Sequence, residues 1–114
     1  MFTLTITIGR NINDVPMGEV DWSFFKLETA AAVEAYRHLH ANPEAIVVEI
    51  HNGFGYWDGK PEESWKIALI GDRLMDQDSK ALRLELARLA ATYKQDAIAF
   101  VPARSELVYP NHTA

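Results

Sequence analysis

The chain has no cysteine, which removes thiol nucleophiles, cysteine-held zinc, redox switching and disulfide staples at once. It does not depend on staples, because 114 residues make a single domain that buries about two-thirds of its unfolded surface. Long apolar runs are also lacking, and none approaches the roughly twenty residues of a membrane span. The opening "MFTLTITIGR" alternates threonine with apolar residues instead of following a basic segment with a long apolar one, so it does not read as a signal peptide. The expectation is a cytoplasmic protein with no membrane partner, and the letters of a glycosylation sequon at Asn111–Thr113 carry no meaning there. Basic residues are few and scattered, eleven Lys and Arg against sixteen Asp and Glu for a net charge of -5. Phosphate binding draws on clustered cations, so nucleic acid is not an expected partner. An acidic excess serves solubility, or suits a protein that covers a basic surface on a partner.

What is present alternates in two periods. Phe2, Leu4, Ile6 and Ile8 are interleaved with Thr3, Thr5 and Thr7, the period of a strand ending at Gly9. After Pro16 and Gly18, Asp21 is placed to cap a helix whose Trp22, Phe25, Thr29, Ala32, Val33 and Tyr36 form one stripe, with an end near Asn42–Pro43. Residues 45–51 and 65–70 read as strands. A second amphipathic helix begins at Asp76 or Asp78 and carries Leu82, Leu86, Leu89 and Tyr93. Residues 97–101 read as a fourth strand and 106–109 as a short extra one. Two helices with one apolar stripe each cover one face of one sheet, which makes the expected fold α+β: a ferredoxin-like β-α-β-β-α-β sandwich with an antiparallel sheet.

The stretch "HNGFGYWDGKPEESW", His51 to Trp65, joins the second strand to the third. Asp58-Gly59 is a two-residue turn signal, since turns that match strand twist need positive φ at their central residues. If Trp57 faces Lys60, Ile50 lies opposite Ile67 on the helix-covered face and Glu49 opposite Ala68, and the apolar faces coincide. This register sends Gly53, Gly55 and Trp57 to the open face, leaving a hollow bordered by Trp57, Glu62 and Ser64. Glycine in a strand also marks bulges, so a bulge is the competing reading. The topology brings Arg10, Asn11, Asn13, His51, Asn52, Glu62, Glu63, Gln95 and Asp96 to one end of the sheet, the default functional region.

Each candidate there has a plain structural reading beside the functional one. His51 beside Glu49 and Lys66 has the makings of a general base oriented by a carboxylate, or is a surface strand residue. Glu62 and Glu63 point to opposite faces and cannot form a carboxylate pair; one of them is expected to bind Arg10. His38 and His40 face away from each other, so no metal site is expected. "GFGYWDGK" has no helix after it and therefore no phosphate-binding helix terminus. Tyr56 and Trp57 at the hairpin tip suit anchoring a protein partner, with packing against the first helix as the alternative, more so for Tyr56.

The segments "IGRN" at Ile8 to Asn11, "W-x-x-F" at Trp22 to Phe25, "G-x-G-x-W" at Gly53 to Trp57, "E-x-S" at Glu62 to Ser64 and "YKQDAI" at Tyr93 to Ile98 resemble those of short uncharacterised proteins of bacteria and their phages. The resemblance implies a compact α+β fold and a phage or mobile-element setting, in which small acidic proteins block host machinery. Two function classes stand. The first is a non-enzymatic binding or inhibitor protein that contacts a protein partner through the hairpin end, with Arg10, Asn11, His51, Tyr56, Trp57, Glu62, Glu63 and Gln95 as its surface. The second is a small cofactor-independent enzyme of the dimeric α+β barrel kind, a homodimer through the open sheet face, with His51 as base and Arg10 holding an anion. Neither class calls for a cofactor.

Overall fold

In the computed structural model, which describes residues 1–110, the first strand β1 (Phe2–Gly9) is the axis on which the rest is hung. Its alternation sends Leu4, Ile6 and Ile8 to one face, where all are buried, and Thr3, Thr5 and Thr7 to the other. Two short strands follow, β2 (Asn11–Ile12) and β3 (Val15–Pro16), then helix α1 (Glu19–Arg37). The long hairpin β4 (Val47–Trp57) and β5 (Lys60–Gly71) leads to α2 (Lys80–Thr92) and β6 (Ala99–Arg104). The four long strands make one antiparallel sheet in the order β4-β5-β1-β6. This is the ferredoxin-like arrangement, with the first and third long strands central.

Both helices lie on the Leu4 face. Trp22, Phe25 and Val33 of α1 and Leu82, Leu86 and Leu89 of α2 join Leu4, Ile6, Ile8, Ile67 and Leu69 in one buried cluster. Each fully buried aliphatic side chain contributes about 2 kcal/mol relative to exposure, so the stripe spacing, more than helix propensity, holds the helices in place. Two polar contacts lock them. The Tyr36 hydroxyl donates to the Gln77 carbonyl at 2.9 Å, tying α1 to the segment before α2. Tyr93, just past α2, stacks on Phe25 with ring centroids 4.6 Å apart and donates its hydroxyl to Glu28 at 2.5 Å.

The hairpin register is the expected one. Ile50 pairs with Ile67, Val48 with Leu69 and Glu49 with Ala68, and the ladder continues to Trp57 opposite Lys60 with no break, so the glycines mark no bulge. At the turn Asp58 and Gly59 have φ of 51° and 74°, the paired left-handed residues of the tight hairpin turn. Ile50 is nevertheless 55% exposed, because it sits on the edge strand at the point where the hairpin extends past the helices.

Several boundaries differ from expectation. Helix α1 starts at Glu19 behind Gly18, so Asp21 is in the first turn, where a carboxylate favours the positive helix end without capping it. It stops at Arg37, and the Asn42–Pro43 signal instead opens a 3₁₀ turn at Pro43–Ala45. The β2–β3 hairpin went unforeseen, although its turn residues Asn13 and Asp14, at φ of 49° and 69°, are types that tolerate that conformation. Residues 106–109 form no strand; the last bond to β1 on this side is the one the Ser105 N–H donates to the Met1 carbonyl at 2.7 Å.

The Glu28 carboxylate and burial together push the Tyr93 phenol from 10.0 up to about 12. A raised folded value means that the stabilisation is complete below the unfolded value and is lost as pH rises through the folded one. The protein is expected to lose stability between pH 10 and about 12, and Tyr93→Phe, which keeps the stack on Phe25, to remove that component. Melting temperatures across this range for the two proteins check it; identical alkaline profiles would refute the Glu28–Tyr93 linkage.

Candidate functional site

The far end of the sheet, where β1 leaves and the hairpin projects, is organised by Arg10. Its side chain is only 14% exposed. Nη1 donates to Glu63 at 2.7 Å, Nη2 to Glu19 at 2.9 Å and Nε to the Met17 carbonyl at 2.8 Å, so all three guanidinium nitrogens are engaged by the start of α1 and by β5. The Arg10 hydrogen bond holds the Glu63 carboxyl below the usual carboxylate range, and the Trp22 indole adds to the effect although its N–H stops short of hydrogen-bond geometry. The expected role of Arg10 as an anion holder is therefore corrected: its charge is already matched by two carboxylates, Glu63 and Glu19.

Glu62, one residue along, points the other way. It accepts the Asn11 N–H at 3.0 Å and lies over Gly9, where a Cβ would fall on the Glu62 carboxylate. The Asn11 side chain donates to the Pro61 carbonyl at 3.1 Å, and the Gln95 side chain to the Asn11 carbonyl at 3.1 Å. Arg10, Asn11, Glu62, Glu63 and Gln95 thus converge as the topology predicted, but through bonds to one another.

The open face carries the side chains with free chemistry. Thr7, Lys66 and His51 stand in one cross-strand row, and Gly9, Ser64 and Gly53 in the next. The second row is low: the Ser64 hydroxyl leans over Gly53, 2.8 Å from where a Cβ would stand, and the Glu62 carboxylate lies over Gly9. The result is a shallow floor beside the His51 row, with Gly55 and Glu62 beyond it and Trp57 at the tip. His51 Nε2 is 3.2 Å from Glu49 Oε2, two residues back on the same strand. An N–H donated there leaves Nδ1 as the ring nitrogen with a lone pair. Ser64 and Thr7 were not singled out as site residues; the hairpin register that places Ser64 beside Gly53 was the available signal.

Tyr56 and Trp57 are each 76% exposed, and Tyr56 packs edge-on to Phe54 at 6.4 Å rather than against α1. They lie beyond the helices' reach. His38 is exposed beside Glu34, while His40 is buried with Nε2 donating to the Leu74 carbonyl at 2.6 Å. Among the described residues no cluster of His, Asp and Glu could hold a metal, and no helix is long and apolar enough to cross a membrane. The sequon lies outside the described residues.

A cavity of about 630 Å³ is at the opposite end of the sheet between His40, Ile46, Gly71 and Asp76. Its charged groups are already engaged, Arg73 with Asp76 at 2.6 Å and His40 with Leu74. A second, of about 460 Å³, runs between α2 and β6 along Leu86, Ala90 and Phe100. The second is lined by Arg83 and Asp96 but holds no histidine, and neither cavity sets an imidazole beside a carboxylate as the open face does.

No family model and no curated protein matches the chain. Two solved structures are similar to it. One is a phage SAM lyase in complex with S-methyl-5'-thioadenosine, with a TM-score of 0.48 and 19% identity over 90% of this chain and 79% of that one. The other is a phage SAM lyase in the apo state, with a TM-score of 0.44 and 15% identity over 95% and 92%. Both are enzymes, and the expectation of a non-enzymatic inhibitor working through the hairpin end is withdrawn. The physical reason points the same way: Arg10, Asn11, Glu62, Glu63 and Gln95, most of the surface assigned to that role, are bonded among themselves.

Because Arg10 lowers the Glu63 carboxyl, the stabilisation is present above the usual carboxylate value and lost as pH falls through the depressed one. Arg10→Ala is expected to lower the melting temperature by several degrees at neutral pH and to flatten its fall toward acid. Thermal melts from neutral to strongly acidic pH test this, and an unchanged neutral melting temperature would show that the Arg10 cluster holds nothing together.

Proposed function

We propose that the chain is a cofactor-independent enzyme acting on a small charged molecule, with its chemistry on the open face of the sheet. The observation that carries this reading is the His51–Glu49 contact of 3.2 Å, set in a row with Lys66 and Thr7 and next to the glycine-floored row at Ser64. In this reading Glu49 fixes the tautomer and orientation of the imidazole, and Nδ1 takes a proton. Lys66, in place of Arg10, holds an anionic group such as a carboxylate. Glu49 on one side of the His51 row and Glu62 over Gly9 on the other favour a cationic centre between them, in keeping with the net charge of -5.

A sulfonium compound has the charge pattern that this row accommodates, a fixed cation with a carboxylate a few bonds away. Its sulfur can leave as a neutral thioether: the base takes a proton from the carbon next to the one that bears sulfur, the C–H electrons form a C=C bond and the C–S bond breaks, so the departing atom needs no proton and one base with charged groups to hold the molecule is a sufficient apparatus. The first substrate to assay is therefore SAM, the compound named for the two similar structures, with S-methyl-5'-thioadenosine as the product to follow.

Purified protein incubated with SAM is expected to release S-methyl-5'-thioadenosine faster than the spontaneous background. His51→Ala should lower the rate about a hundredfold, the lower end of what a positioned general base supplies, and Lys66→Ala should act mainly on KM. Product formation by chromatography against a protein-free control decides it. Absence of turnover, or a His51→Ala variant as fast as the parent, would defeat the assignment.

A further inference from the structure

The outer edge of β4 is an open strand of eleven residues, Val47 to Trp57, and every one of them is exposed except the half-buried Val48. Sheet edges in stable proteins are ordinarily blunted by proline, by lysine or by shortness. The opposite edge of this sheet is: β6 has six residues and carries Pro102, which lacks a backbone donor. β4 has no proline and no lysine, and its exposed residues include Val47, Ile50, Phe54, Tyr56 and Trp57.

The sequence of β4 is complementary to itself in one antiparallel register. A twofold axis normal to the sheet keeps the helices of both copies on one side, so paired residue numbers must add to an even total, and full overlap of Val47 to Trp57 puts Asn52 on the axis opposite its own copy. On the helix side Ile50 then faces Phe54, and Val48 faces Tyr56. On the open side Val47 faces Trp57, Glu49 faces Gly55 and His51 faces Gly53. Each aliphatic residue meets an aromatic one, the pairing most favoured across strands, and each bulky polar residue meets a glycine that leaves it room. Moving the axis to His51 sets Ile50 against Asn52; moving it to Gly53 sets Phe54 against Asn52 and Glu49 against Trp57. Neither alternative keeps apolar with apolar.

From this we infer that the β4 edge is the binding surface for a second copy of the chain, joining two sheets into one of eight strands. The three aromatics of two copies present roughly 900 Å² or more when covered, and with Val47 and Ile50 they approach the range of about 1,200–2,000 Å² of a stable complex. The pairing leaves the Thr7–Lys66–His51 row uncovered, so it does not depend on the enzymatic reading and can fail or hold without it.

The absence of native cysteine makes the register directly testable. Asn52→Cys puts one thiol per chain, and paired positions across the axis lie about 4.5–5.5 Å apart at Cβ, within the span of a short bis-maleimide. The full chain is expected to sediment as a dimer, Asn52→Cys to cross-link to it nearly completely, Val101→Cys on β6 to cross-link little, and Phe54→Glu to sediment as a monomer with an unchanged circular dichroism spectrum. A monomeric parent at concentrations well above micromolar would overturn the inference. So would efficient cross-linking through Val101→Cys with none through Asn52→Cys, which would mean that the copies meet by the open face or the β6 edge.

Discussion

The two-residue turn at Asp58–Gly59 sets the register of the β4–β5 hairpin, and with it the face on which every functional side chain stands. Side chains alternate along a strand, so a slip of one residue would have sent Trp65, Ile67 and Leu69 to solvent and Lys66 into the core. The same register parts neighbours. Glu63 goes to the helix side and meets Arg10, whereas Glu62 goes to the open side and meets the Asn11 N–H. It also stands His51 across from Lys66 and Ser64 across from Gly53.

Charge at this end of the sheet divides into two kinds of use. Arg10 is surrounded by Glu63, Glu19 and the Met17 carbonyl and behaves as a structural clamp between β5 and the entry to α1. A group whose charge is already met by two carboxylates is a poor anchor for an anionic substrate. The open face is built the other way. Its backbone groups are spent in the ladder, while Lys66, Thr7 and Ser64 stand beside glycines that keep the face low and His51 makes one contact, to Glu49. Chemistry is assigned to the second group because its side chains have capacity left.

The hairpin beyond the helices is a separate matter. There, residues on the helix side of the sheet lose their cover, which is why Ile50, Phe54 and Tyr56 are exposed although they share a face with buried Trp65 and Ile67. An apolar ribbon with one free edge is the part of the molecule least satisfied by its own fold.

Local periodicity was enough to read the order of the long elements, the ferredoxin-like arrangement, the turn at Asp58–Gly59 and the pairing of Ile50 with Ile67, because alternation and a two-residue turn are properties of neighbouring residues. The same logic brought Arg10, Glu63 and Gln95 to one end. What neighbouring residues do not carry is how far the helices reach and which partners a side chain meets. Helix length and placement left Ile50 and Tyr56 uncovered, and three-way bonding turned Arg10 from a binding residue into a clamp. Those outcomes depend on distances between segments far apart in the chain, and only packing in three dimensions decides them.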